Sequence, residues 1–176
     1  MLKEGYTQVY TGDGKGKTTA AMGLAFRAAG DDMKVIIIQF LKAWKTGELA
    51  SIDKIDNIDL FRFQTTKKFT WDLNEEEMVK YKIETREAYF FAIECLKERK
   101  CDILILDEVM GAIHGEFITE DEVVELINLK PNNMELVLTG RNVPDKVAEK
   151  ADLITEMKPI KHYMDKGVNA RLGIEF

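Results

Sequence analysis

The sequence predicts an α/β fold, a mainly parallel sheet flanked by helices, on three observations. Six short β-rich apolar runs recur along the chain, helical segments lie between them, and several runs are continuously apolar rather than alternating. Strands covered on both faces read this way, and strands alternating with helices favour parallel pairing. The chain has 176 residues, enough for a substantial core of its own, and is expected to form one domain over 1–176.

The elements follow in order. "QVYT" (8–11) is the first predicted strand, and residues 17–29 read as a helix opening at a glycine-rich turn. "KVIIIQF" (34–40) and "IDLFRF" (58–63) are the next two strands. A long helix is expected from Asn74, because Glu77 stands at capping-box spacing from it. Ala88, Phe91, Ala92, Cys95 and Leu96 then recur at i, i+3, i+4, i+7 and i+8, a core-facing stripe. "DILILD" (102–107) is the fourth strand, and Thr119 with Glu122 offers a second capping box for a helix that Pro131 ends. "ELVLTG" (135–140), a short helix after Pro144 and "DLITEM" (152–157) complete the alternation.

Composition narrows the function. Hydrophobic residues make up 45% and charged residues 32%, ordinary for a soluble globular chain, while a net charge of −6 argues against a sequence-independent grip on nucleic acid. The run "VIIIQFL" is too short to span a bilayer, and "MLKEGYTQVY" has no apolar signal region, so no membrane role and a cytoplasmic location are expected. Cys95 and Cys101, the two cysteines, fit no paired metal or disulfide pattern and are expected to be buried and inert. His114 and His162 lack a carboxylate cluster around both and make a weak metal case. His114 reads as structural; for His162 a place near a ligand or a subunit contact stays open.

The chemistry concentrates in "YTGDGKGKTT" (10–19), between a strand and a helix. Backbone N–H groups of such a turn and of the helix N-terminus converge on an anion, and glycines let the backbone approach closely. Lys17 would give a cation to the outer phosphates and Thr18 a hydroxyl to Mg²⁺. The Walker A pattern asks for Gly at 11, where this chain has Thr11; Gly12 and Gly14 supply the flexibility instead. A dinucleotide-binding G-x-G-x-x-G is excluded, because Lys17 stands where its third Gly belongs. "CDILILDEVM" (101–110) resembles Walker B, with Asp107 and Glu108 at the end of an apolar strand. Together these predict a P-loop nucleotide-binding (RecA-like) fold.

A P-loop alone does not say which bond of the nucleotide breaks. Three further segments bear on it: "VIIIQFLKAWKTGE" (35–48) with Gln39, Lys42, Trp44 and Glu48, "KKFTWDLNEEE" (67–77) with Phe69 and Trp71, and "LTGRNVP" (138–144) with Gly140 and Arg141. By spacing alone the aromatic pair reads first as core or a loop anchor.

With these residues in view the chain resembles the P-loop corrinoid adenosyltransferases (ATP:cob(I)alamin adenosyltransferases). The likeness runs from about Val9 to Phe176 and rests on "YTGDGKGKTTAA", "QFLKAWKTGE", "FTW", "LDE", "LTGR" and the tail "KPIKHYMDKGVNARLGIEF". It implies that the Co(I) of a reduced corrinoid attacks the ribose 5′ carbon of ATP, so that adenosine joins cobalt and triphosphate leaves intact. It also implies that ATP is held reversed relative to most P-loop proteins. Carried over by position, Thr11, Gly12, Asp13, Gly14, Lys15, Gly16, Lys17, Thr18 and Thr19 form the nucleotide site, with Arg27 and Arg141 as further nucleotide contacts. Lys17, Thr18 and Glu108 are the expected catalytic groups; Thr18 and Glu108 come first for Mg²⁺, then Asp107.

The resemblance further implies that Phe69 and Trp71 lie against the corrinoid and help displace its lower axial ligand, leaving cobalt easier to reduce. A homodimer is expected by the same route, with a reductase and adenosylcobalamin-dependent enzymes as further partners. Family members often carry an N-terminal extension; few residues precede the first strand here, so a partner subunit or a loop around 41–72 is expected to cover bound corrinoid. The main alternative is a P-loop ATPase or kinase acting at the γ-phosphate, and a second is a non-catalytic corrinoid carrier or nucleotide-dependent regulator.

Overall fold

Successive side chains of a strand point to opposite faces, and here both faces of the central strands are apolar. The strands are β1 (Thr7–Thr11), β2 (Val35–Gln39), β3 (Ile58–Arg62), β4 (Ile103–Asp107), β5 (Glu135–Thr139) and β6 (Leu153–Glu156). Ile36, Ile38, Leu104, Leu106, Leu136 and Leu138 enter one buried cluster. Their neighbours Val35, Ile37, Ile103, Ile105 and Val137 enter a second on the other face. A sheet with two such faces needs helices on both. The structure, a computed structural model, describes residues 2–175. Met1 and Phe176, the ends of the expected domain span, lie outside the described residues. The six strands form one sheet of order β3-β2-β4-β5-β1-β6, and every pairing in it is parallel.

One face is covered by α1 (Lys17–Ala29) and α2 (Gly47–Ile52). Ala21, Ala25 and Ala28 are the buried residues of α1, small enough for the helix to lie close against the strands. The other face carries α3 (Glu75–Glu98), α4 (Val109–His114), α5 (Glu120–Leu129) and α6 (Asp145–Ala148). Ala88, Ala92, Cys95 and Leu96 of α3 are buried there, with Phe91 packed at the margin. Both capping boxes form. Asn74 Oδ1 accepts from Glu77 N at 2.9 Å while Glu77 accepts from Asn74 N at 3.0 Å, and Thr119 and Glu122 repeat the exchange.

The six-residue helices α2 and α4 carry too little periodicity to be legible beforehand. β6 differs from the central strands, since its four residues are all exposed at the sheet edge. It nonetheless sets the loop after β1. Met157 N donates to Thr11 O at 2.8 Å, and Met157 O accepts from Gly14 N at 2.7 Å. The carboxyl ends of β1, β2, β4 and β5 thereby converge on the start of α1, the edge at which open parallel sheets take ligands.

No helix among the described residues is long and apolar enough to cross a membrane. Cys95 and Cys101 are both buried and free, and burial pushes their thiols up to about 11 and about 12. At pH 8 a thiol of that kind is only ~10⁻³ ionised or less. Neither cysteine is therefore expected to react with an aromatic disulfide reagent in the native protein within minutes. Both are expected to react in denaturant, and the absorbance of the released thiolate counts them.

Candidate active site

The loop between β1 and α1 is shaped by two left-handed glycines, Gly12 (φ 98°) and Gly16 (φ 117°). A Cβ on Gly12 would come within 2.4 Å of Met157 O, and one on Gly14 within 2.6 Å. Thr11, where the Walker pattern has Gly, is buried as the last residue of β1, so the turn begins one residue later. Lys17 curls back over the turn, its Nζ donating to Gly12 O at 2.6 Å and Gly14 O at 2.9 Å. Burial, then the nearby charge of Arg141, pull its pKa down.

Lys15 points the other way. Its Nζ meets Glu175 Oε1 at 2.7 Å and Tyr163 Oη at 3.0 Å. Glu175 also accepts from the Tyr163 hydroxyl and from Arg171 N at 2.8 Å, so the last stretch of chain straps the loop. Hydrogen bonds from Arg171, Lys15 and Tyr163 hold the Glu175 carboxyl far below the usual range. Asp13 is exposed, 3.9 Å from Arg141 Nε. Thr18 and Thr19 line a cavity of about 490 Å³ together with Lys42, Glu48 and Glu175.

Asp107 is the hub. It is fully buried at the end of β4 and takes hydrogen bonds from four side chains. Thr18 Oγ1 (2.9 Å) and Thr139 Oγ1 (2.8 Å) donate to Oδ1; Gln39 Nε2 (2.9 Å) and Lys42 Nζ (2.7 Å) donate to Oδ2. Burial alone would raise its pKa, but the Lys42 charge and these hydrogen bonds outweigh that and hold it low. Glu108 follows in a left-handed conformation (φ 62°), with its N–H bonded to Thr139 Oγ1 at 2.9 Å. Burial, then Asp107 beside it, push the Glu108 carboxyl up. Gly111 leaves it room, since a Cβ there would lie 3.1 Å from Glu108 Oε1. Of the two carboxylates expected at the metal, Asp107 is the one that Thr18 touches.

This donor set fits a small hard cation. The Asp107 carboxylate and the Thr18 hydroxyl are within hydrogen-bond distance of each other, and an ammonium already rests on both: Lys42 Nζ lies 3.4 Å from Thr18 Oγ1. Mg²⁺ is typically held this way, by one or two carboxylates with phosphate oxygens and water completing the octahedron. Among the described residues no group of three or more His, Cys, Asp or Glu forms a dedicated metal cage.

Arg62 links the hub to the next surface. It donates to Gln39 Oε1 at 2.6 Å, Trp44 O at 2.5 Å and Thr46 Oγ1 at 2.7 Å, pinning the loop after β2. That loop and Phe69 enclose an apolar cavity of about 500 Å³, lined by Leu41, Lys42, Trp44, Lys45 and Thr46. Phe69 stacks on Trp71 with centroids 4.6 Å apart and planes 6° from parallel. The pair is 54% and 77% exposed, so it is not core.

Several expected residues stand elsewhere. Arg27 is exposed in the last turn of α1, about 15 Å along the axis from Lys17 at the helical rise, so the structure does not bring it to the loop. His114 Nε2 lies 3.0 Å from Asn142 O, a structural contact, and His162 Nδ1 accepts from Met164 N at 3.1 Å, capping a short 3₁₀ turn. Thr139, Arg62 and Glu175 were missed. Thr139, a lone hydroxyl ending an apolar strand, was the readable signal; the other two are surface-type residues without local pattern.

The profile of the family described as ATP:corrinoid adenosyltransferase BtuR/CobO/CobP matches residues 3–176. The corrinoid adenosyltransferase of Escherichia coli K12 is 35% identical over 175 residues, covering 99% of this chain and 87% of that protein. One from Sinorhizobium sp is 36% identical over 177 residues, covering 99% and 81%. The KaiC-like protein PH0186 of Pyrococcus horikoshii OT3 superposes with a TM-score of 0.53 at 15% identity, over 88% of this chain and 74% of that one, a likeness of fold.

The geometry of the loop predicts a specific weakness. Gly12→Ala adds a Cβ against the Met157 carbonyl in a left-handed conformation, a strain of about 1–2 kcal/mol. ATP affinity by calorimetry is expected to fall about tenfold, with the circular dichroism of the sheet and helices unchanged.

Proposed function

The chain belongs to the ATP:corrinoid adenosyltransferase family, and on that footing we propose which of its residues carry the transfer of the 5′-deoxyadenosyl group of ATP to the Co(I) of a reduced corrinoid. The products are an adenosylcorrinoid, adenosylcobalamin when the acceptor is complete cobalamin, and triphosphate. The observation that carries the assignment is the shared wall at Lys42, which lines both the polar cavity at the phosphate loop and the apolar cavity of Leu41, Trp44 and Phe69. A triphosphate and a broad apolar ring on the two sides of one short loop are what this reaction requires.

Co(I) is already a strong nucleophile, so no protein base is needed, and the substrate carries the hard chemistry. It supplies both electrons of the new cobalt–carbon bond; the bond from C5′ to the triphosphate oxygen breaks, and its electron pair leaves on that oxygen. The protein aligns the two centres. Residues 11–19 form the triphosphate cradle in this reading, with the Lys17 ammonium exchanging loop carbonyls for phosphate oxygens. Arg141, beside Asp13 at the rim, is a further phosphate contact. Thr18 and Asp107, with Glu108 adjacent, would hold Mg²⁺, which supplies positive charge to the departing triphosphate. Phe69 and Trp71, exposed and stacked, are the corrinoid platform.

The same reading takes residues 1–176 as one adenosyltransferase domain acting in the cytoplasm as a homodimer. Co(I) has to be generated by an electron donor, and the product is a cofactor for other catalysts. A reductase and adenosylcobalamin-dependent enzymes are therefore its partners.

An anaerobic assay with cob(I)alamin, ATP and Mg²⁺ tests the reaction. A light-sensitive corrinoid spectrum with one triphosphate per adenosylcobalamin is expected; ADP and phosphate with an unchanged corrinoid would overturn it. Phe69→Ala and Trp71→Ala are expected to leave ATP affinity unchanged and to slow adenosylation from cob(II)alamin plus reductant by about tenfold or more. Unchanged rates in both variants would remove the pair from the corrinoid site.

A further inference from the structure

The Lys42 ammonium occupies a peculiar place. It rests on the buried Asp107 carboxylate at 2.7 Å and lies 3.4 Å from the Thr18 hydroxyl, the two oxygens that suit a divalent cation. Its side chain is 26% exposed, while that of Asp107 is fully buried. A divalent ion on those oxygens would stand in contact with the ammonium, in a partly desolvated site where like charges repel strongly. The ammonium and the metal therefore exclude one another at Asp107.

Lys42 has somewhere else to go. It sits two residues past Phe40, in a loop where Leu41 adopts a left-handed conformation (φ 58°), and its long stem borders the cavity that Thr18 and Thr19 also line. A triphosphate in that cavity offers the displaced ammonium new anionic oxygens. Without nucleotide, leaving Asp107 would put the ammonium opposite no comparable partner among the groups that line that cavity except Glu48 and Glu175. Arg62 already lies 3.6 Å from Glu48, and Lys15 and Arg171 already hold Glu175.

We propose that Lys42 is an exchangeable counter-ion of Asp107: it blocks the divalent-cation position until nucleotide arrives, then moves onto the triphosphate. The cation and ATP thereby bind as a coupled pair, and a second lysine besides Lys17 ends on the leaving group. The proposal rests on the reading that Thr18 and Asp107 hold the cation. It gives Lys42 a role that Lys45, the exposed lysine of the same loop, lacks, since Lys45 has no buried carboxylate to guard.

Mn²⁺ binding to the full chain, followed by electron paramagnetic resonance of the free ion with and without ATP and with no corrinoid present, tests it without turnover. The wild type is expected to bind Mn²⁺ weakly alone and more tightly with ATP, a coupling of about 5–150-fold. Lys42→Met is expected to bind Mn²⁺ alone about tenfold more tightly and to reduce the coupling by the same factor, the phosphate oxygens supplying what remains, whereas Lys42→Arg keeps the wild-type pattern. Lys42→Gln repeats the neutral substitution should Lys42→Met fail to fold. If neutral variants bind Mn²⁺ alone no better than the wild type while Asp107→Asn abolishes binding, the counter-ion role is wrong and the cation site stands. If Asp107→Asn binds Mn²⁺ with ATP as well as the wild type, the cation reading itself is wrong, and the counter-ion role goes with it.

Discussion

A charged carboxylate with no access to water is the constraint on which the rest of this site depends. Taking a carboxylate out of water costs several kcal/mol, and only well-placed donors repay it. Asp107 draws those donors from four parts of the chain: Thr18 at the start of α1, Gln39 at the end of β2, Lys42 in the following loop and Thr139 at the end of β5. Each bond sets one element against β4. The phosphate loop, the apolar cavity and the central strands are thereby fixed in one frame by a single side chain. β5 stands between the strand that carries the loop and the strand that carries Asp107, and Thr139 bridges that gap.

From that hub the site grades from rigid to open. Backbone and buried side chains define the phosphate loop, where glycines admit no side chain and Lys17 ties the turn to itself. Arg62 relays order outward through Gln39 to the Trp44 loop. Beyond it, Phe69 and Trp71 hold each other rather than the core. The proposed reaction suits this gradient: firm seating for the flexible triphosphate, an adaptable face for the corrinoid ring.

Much of this was legible in the sequence, for identifiable reasons. The strands were readable because burial on both faces demands unbroken apolar runs such as "ILILD" and "VIIIQ". The long helices announced themselves by reciprocal caps at Asn74 and Thr119. The phosphate loop was readable because few residue types tolerate its backbone. What stayed hidden depends on distance rather than pattern. Asp107 and Glu108 are adjacent carboxylates, and only the fold shows that one turns toward Thr18 while the other turns the chain into α4. Arg27 is near the loop in sequence and far from it in space, because a helix carries it away. Arg62 and Glu175 gain their importance from partners that no local window contains.

The tie between Lys15 and Glu175 joins residues 160 apart in sequence, and Gly14 is held by Met157 from beyond the last strand. Closing loops of such length costs chain entropy before the contacts reward it. During synthesis the phosphate loop emerges early, but its ties to Met157 and Glu175 can form only after the edge strand and the segment behind it have been made. A growing chain thus carries the residues for nucleotide binding long before it has the geometry. ATP, abundant wherever the ribosome works, finds a finished cradle only on a chain whose far end has come home.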